Sequence, residues 1–122
     1  ISFFGQASRE DVLCLMQKSD CFVLSSTFET FGVVVIEAMS CGLPVIATRS
    51  GGPESIIINS KLGILCDINE SELCDALQKM SITRYAAEYI REYAISRFSA
   101  VVVAKQLGAL YRSIVNNSPP PA

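Results

Sequence analysis

Two carboxylates, Glu29 and Glu37, stand with seven residues between them, and the stretch joining them holds Phe31-Gly32 followed by an apolar run. A carboxylate accepts two hydrogen bonds from a vicinal diol, each charge-assisted bond contributing about 1.5 to 3 kcal/mol. Glu37 could clamp a ribose in this way, and Glu29 a sugar ring. Between them, Gly32 lets a ligand approach the backbone. The N–H groups of residues 31–34 open a helix whose N-terminal end carries about half a positive charge. An anion placed there gains about 0.3 to 2 kcal/mol from the dipole alone, and diphosphate is the obvious candidate. Each carboxylate also has a plain reading. Glu29 suits the first turn of any helix, and Glu37 could pair with a basic neighbour. Glu37, however, sits between Ile36 and Ala38 in a helix almost free of other charge. Such helices are normally buried, so a lone carboxylate within one needs a partner.

This chemistry requires a scaffold that sets the end of a strand beside the start of a helix. Residues 21–24 (Cys-Phe-Val-Leu) are a short continuous apolar run, as in a strand covered on both faces. Ser25, Ser26 and Thr27 follow as loop, and the helix opened by Phe31-Gly32 runs to a stop at Cys41-Gly42. Pro44 suits the first residue of the next strand, 45–47. Upstream, residues 1–4 (Ile-Ser-Phe-Phe) read as a strand ending at Gly5, and Ser8 with Asp11 caps a helix reaching about Ser19. Downstream, Gly51-Gly52-Pro53-Glu54 is a turn feeding a short helix, and residues 62–65 are a last strand. Helices over 71–80, 83–96 and 98–115 close the chain. Strands alternating with helices predict an α/β fold, a Rossmann-like three-layer α/β/α arrangement with a parallel sheet and right-handed crossovers, ending in consecutive helices. Ligands of such sheets bind beyond the carboxyl ends of the strands, where Glu29 lies. A doubly wound sheet has about six strands against the three, with a candidate fourth, read here. The expectation is therefore a C-terminal half-domain over residues 1–115, with its first strand an exposed edge and residues 116–122 a disordered tail.

The bulk composition excludes several alternatives. The 122 residues suit one domain, and 50% hydrophobic against 18% charged residues argues against disorder. A net charge of -2 supplies no field for nucleic acid. Five cysteines without a Cys-x-x-Cys pair, and no histidine, leave a zinc site short of ligands. The thiols read as reduced and buried in a cytosolic core. No apolar run reaches the roughly 20 residues that span a bilayer, and the first residues do not read as a basic-then-apolar signal peptide. Arg9 and Arg49 are not promoted to site residues, and Arg84, Arg91 and Arg97 read as a solvated helical face.

The order Ser25-Ser26-x-x-Glu29-x-Phe31-Gly32, then Glu37-Ala38-Met39-x-Cys41-Gly42-x-Pro44-Val45-Ile46-Ala47, then Gly51-Gly52-Pro53-Glu54, closely resembles the group 1 family of retaining nucleotide-sugar glycosyltransferases with the GT-B fold. Phe3-Phe4-Gly5 looks like that family's strand before the base-binding loop. Phe98 to Tyr111 looks like its closing helix, so the resemblance reaches about Ile114. It implies the C-terminal part of a GT-B nucleotide-sugar-binding domain. In that part the counterpart of Glu29 contacts the donor sugar at the catalytic centre, those of Thr30, Phe31, Gly32 and Val33 meet sugar and phosphates through the backbone, and that of Glu37 holds the ribose. It further implies a nucleoside diphosphate sugar donor such as a UDP-sugar, no cofactor and no metal. Hexosyl transfer would go to a glycan or lipid-linked acceptor held by a separate N-terminal domain, in polysaccharide biosynthesis. The setting would be the cytoplasm, with any membrane contact made by the parent protein at the cytoplasmic face. The family's diphosphate-binding Arg and Lys precede the present residues. Two other readings keep the donor, a nucleotide-sugar epimerase of related fold and a non-catalytic donor-binding module. A dinucleotide-cofactor domain is weaker, because no Gly-x-Gly-x-x-Gly follows a strand.

Overall fold

Apolar runs too short for helices and flanked by turn residues become strands: β1 (Phe22–Leu24), β2 (Val45–Thr48) and β3 (Gly63–Cys66). The computed structural model, which describes residues 1–117, pairs them in parallel in the order β1-β2-β3. Phe22 lies opposite Val45, and Val45 opposite Gly63. All four residues of the central β2 are buried, and the first three, Val45-Ile46-Ala47, read as a continuous apolar run rather than an alternating one. Alternation along the strands still divides the core. Val45 and Ala47 share one face with Phe22, Leu24 and Leu65, whereas Ile46 shares the other with Ile64 and Cys66.

The first face is covered by α1 (Arg9–Gln17), α2 (Val33–Ser40), α3 (Pro53–Ile56) and α5 (Ala87–Phe98), through Met16, Val35, Met39, Ile56 and Ile90. The second is covered by α4 (Glu70–Ile82) through Ala76 and Met80. The result is the expected three-layer α/β/α arrangement, closed by α4, α5 and α6 (Ala100–Asn117) in succession. Capping chemistry sets the starts of α1 and α4. The Ser8 hydroxyl accepts the Asp11 N–H while the Asp11 carboxylate accepts the Ser8 N–H, a reciprocal capping box. Hydrogen bonds from the Ser8 hydroxyl and then its backbone hold the Asp11 carboxyl below its ordinary value. Asn69 caps α4 by accepting the Glu72 N–H at 2.9 Å.

Some expectations are corrected. Residues 1–4 form no strand, and Phe3 is 94% exposed. Aromatic and β-branched composition favours a pleated surface, but a strand forms only where a neighbour pairs its N–H and C=O groups, and no ladder reaches this segment. Phe98 ends α5 instead of opening the last helix, because Ser99 adopts extended backbone and its hydroxyl accepts the Val102 N–H. α6 continues through Asn117, past the expected boundary at 115. The rest of the expected tail, residues 118–122, lies outside the described residues. By length and composition alone the stretch Ala87–Asn116 would suffice to cross a bilayer, with a mean hydropathy of 1.2 in its most apolar window. The extended backbone at Ser99 divides that stretch into two helices.

The thiols do not all sit in the core. Cys14 and Cys74 are exposed, and Cys66 is buried. Burial pushes the Cys66 thiol above its ordinary value, and the neighbouring Glu72 and Asp67 carboxylates add to that. Because the thiolate is the reacting species, a maleimide at neutral pH is expected to label Cys14 and Cys74 in the native protein and Cys66 only on unfolding. Peptide mass mapping reads the order, and native labelling of Cys66 would contradict this packing.

Candidate functional site

The carboxyl ends of the strands carry the loop of residues 25–32, and backbone hydrogen bonds hold that loop against the next one. The Glu29 N–H donates to the Ser50 carbonyl and the Gly52 N–H donates to the Glu29 carbonyl, both at 2.9 Å, so that Glu29 and Gly51 form a parallel bridge. The buried Thr48 hydroxyl donates to the carbonyls of Ser26 and Leu24, and buried Ser50 donates back to Thr48. Thr48 therefore ties the start of the loop to the end of β2. Glu54 closes the second loop by accepting the Gly51 N–H through both carboxylate oxygens, at 3.0 and 3.3 Å. The Gly51-Gly52-Pro53-Glu54 segment is thus the turn that sequence reading described, and it also backs the loop bearing Glu29.

Gly52 makes that backing possible. A Cβ at this position would lie 2.2 Å from the Phe31 carbonyl oxygen and 2.5 Å from the Phe31 Cα. Gly32, with φ of 92°, occupies left-handed backbone at the N-cap of α2, a region that costs a residue with a Cβ more than it costs glycine. No side chain caps α2. The N–H groups of its first turn, at Val33 and Val34, have no intrahelical acceptor and look outward along the positive end of the helix. The Glu29 side chain lies alongside, its Cγ 3.6 Å from where a Gly32 Cβ would stand. The structure therefore brings together Glu29, Thr30, Phe31, Gly32 and Val33, and what they frame is a helix N-terminus flanked by one half-buried carboxylate.

Glu37 stands apart from that group. It is exposed, on the helix face opposite buried Val35, Ala38 and Met39 and one turn beyond exposed Val33. This overturns the expectation of a buried carboxylate. The apolar residues of α2 are numerous, but those facing the sheet recur at 35, 38 and 39, and position 37 falls outside that stripe. Glu37 lines an open groove of about 700 Å³ between α1, α2 and α5, shared with Arg9, Met16, Gln17, Cys41 and Arg91. Among the described residues no side chain is hydrogen-bonded or ion-paired to Glu37. Arg9 and Arg91, set aside in the sequence, flank the same groove, and only the meeting of three helices reveals that. Arg49 instead pairs with Asp67 at 3.6 Å, both side chains being largely exposed, a contact contributing about 0 to 1 kcal/mol.

Known proteins share this fold. Residues 1–97 match the family described as Glycosyl transferases group 1. The D-inositol 3-phosphate glycosyltransferase of Corynebacterium urealyticum is 31% identical over 123 aligned positions, covering 93% of this chain and 28% of that protein. Among solved structures, sucrose-phosphate synthase from Thermosynechococcus elongatus superposes with a TM-score of 0.81 at 32% identity, over 96% of this chain and 31% of that one. HepE of Anabaena, solved in complex with UDP and glucose, gives 0.79 at 30% identity, over 92% of this chain and 32% of that one. The chain thus spans about a third of the length of these relatives.

Proposed function

The chain belongs to the group 1 glycosyl transferases, and from that premise we propose that it is the donor-binding part of a retaining glycosyltransferase that moves a hexosyl group from a nucleoside diphosphate sugar to a glycan or lipid-linked acceptor. The observation that carries this reading is the uncapped N-terminus of α2 held open beside Glu29. In the proposed site the N–H groups from Thr30 to Val33 receive the diphosphate and sugar, Glu29 contacts the donor sugar at the reacting centre, and Glu37 accepts hydrogen bonds from the ribose hydroxyls. The chemistry suited to this part is stabilisation of the leaving diphosphate, whose charge grows as the glycosidic bond breaks. Preoriented dipoles act on such charge with little reorganisation. Cations supplied by other parts of the protein, without a metal, would neutralise the rest. The acceptor would be held by another domain, and the reaction would take place in the cytoplasm. Support for a nucleotide and sugar ligand comes from HepE, solved with UDP and glucose.

Binding tests the proposal directly. Titrating the isotopically labelled full-length protein with UDP and with GDP is expected to give saturable amide shifts centred on residues 30–34 and on Glu37, larger with one nucleotide than the other. Saturable shifts confined to other parts of the protein, or none with either nucleotide, would remove the donor-site assignment.

A further inference from the structure

Three aromatic rings meet in succession from the candidate site to α5. The Phe31 ring, 44% exposed, meets Phe98 edge-on at 6.3 Å between centroids, and Phe98 meets Tyr93 in the same manner at 6.1 Å. Tyr93 is fixed at both ends. Its hydroxyl donates to the Ile56 carbonyl at 2.8 Å, and the Arg97 guanidinium lies 5.3 Å from its ring centre. Ile56 is the last residue of α3, the short helix that Gly52 begins. The loop bearing Phe31 and the end of α3 therefore both bear on one wedge of rings projecting from α5. The Phe31 ring rests on that wedge, while its backbone, which precedes the left-handed Gly32, is backed by Gly52. Phe98, by contrast, is packed against the main core.

We propose that Phe98 is a positioning residue for the donor site, holding Phe31, and through it the N–H groups that open α2, where a nucleoside diphosphate is received. This rests on the donor-binding reading above. A leucine at 98 would retain most of the apolar packing but not the ring edge presented to Phe31. Edge-to-face pairs stabilise by an amount corresponding to a threefold to tenfold change in an equilibrium constant.

The test is calorimetric affinity for UDP or GDP, whichever binds the wild-type full-length protein more tightly. It is measured for Phe98→Leu, Phe98→Tyr, Phe31→Leu and the Phe31→Leu/Phe98→Leu pair. The two single leucine variants are expected to bind about threefold to tenfold more weakly, with Phe98→Tyr restoring wild-type affinity. The double variant is expected to be no weaker than the weaker single, since both changes remove one contact. Met80→Ala, on the buried face of α4, should lower Tm without moving nucleotide affinity. Wild-type affinity in Phe98→Leu, or additive losses in the double variant, would overturn the positioning role while leaving the donor site intact. Absence of nucleotide binding in the wild type would overturn the donor-site reading and this proposal with it.

Discussion

Replacing Glu37 with alanine in the full-length protein is expected to reduce kcat/KM for the nucleotide-sugar donor by about a hundredfold or more, with little change in stability. The size follows from two charge-assisted hydrogen bonds to a ribose diol, each contributing about 1.5 to 3 kcal/mol, where 1.4 kcal/mol is about a factor of ten. The stability expectation follows from position. Glu37 is exposed, on the outer face of α2, with no protein partner among the described residues. Substitutions at such sites usually shift stability by within about 0.5 kcal/mol, and alanine favours the helix. If the carboxylate serves the donor, the loss appears mainly in donor KM. Glu37→Gln, which keeps an acceptor oxygen but not the charge, should fall between the two. Donor kinetics and thermal melts of the three proteins check this, and wild-type donor use by Glu37→Ala would remove the ribose role. A loss of activity accompanied by a large drop in Tm would show instead that the carboxylate is structural.

The fold was largely legible because its signals are local. A buried strand such as β2 shows in the apolar run Val45-Ile46-Ala47, and the start of α1 shows in Ser8 and Asp11, three residues apart on a capping geometry that the structure reproduces. The segment 1–4 has the composition of a strand and forms none, because strand composition is local whereas strand pairing is not. The site divides in the same way. That residues 29–33 would surround the start of a helix follows from Phe31-Gly32 ahead of an apolar run. The exposure of Glu37 was obscured because nearly every other side chain of α2 is apolar, and only the buried positions 35, 38 and 39 reveal which face turns inward. Contacts between distant segments were invisible. Nothing in the spacing of Thr48, Tyr93 and Phe98 indicates that a buried hydroxyl anchors one end of the site loop and a succession of rings supports the other.

Gly52 is the position where such a distant contact is least forgiving. Its backbone lies at φ -64° and ψ -49°, ordinary helical values that any residue adopts, so the cost of a side chain here is not conformational strain. It is collision. A methyl group at 52 would stand 2.2 Å from the Phe31 carbonyl oxygen, and the obstacle is backbone, which cannot rotate aside as a side chain can. The two loops must then separate. Separation breaks the Gly52 N–H to Glu29 carbonyl bond and strains the neighbouring bond from the Glu29 N–H to Ser50, which moves Glu29 and the opening of α2 together. Gly52→Ala is therefore expected to lower stability by about 1 to 3 kcal/mol, in the range of overpacked cores, and to weaken nucleotide binding by at least tenfold, since several donors are displaced at once. Gly108→Ala is the matching control. Gly108 lies in α6, where the nearest atoms to an added Cβ belong to the flexible end of the Arg112 side chain at 3.7 Å. There alanine should stabilise by up to about 1 kcal/mol through helix propensity and leave binding untouched. Denaturant melts and nucleotide titrations of the pair separate the two effects. Tight binding by Gly52→Ala would mean that the close approach of the two loops is not what holds the N-terminus of α2 open to its ligand.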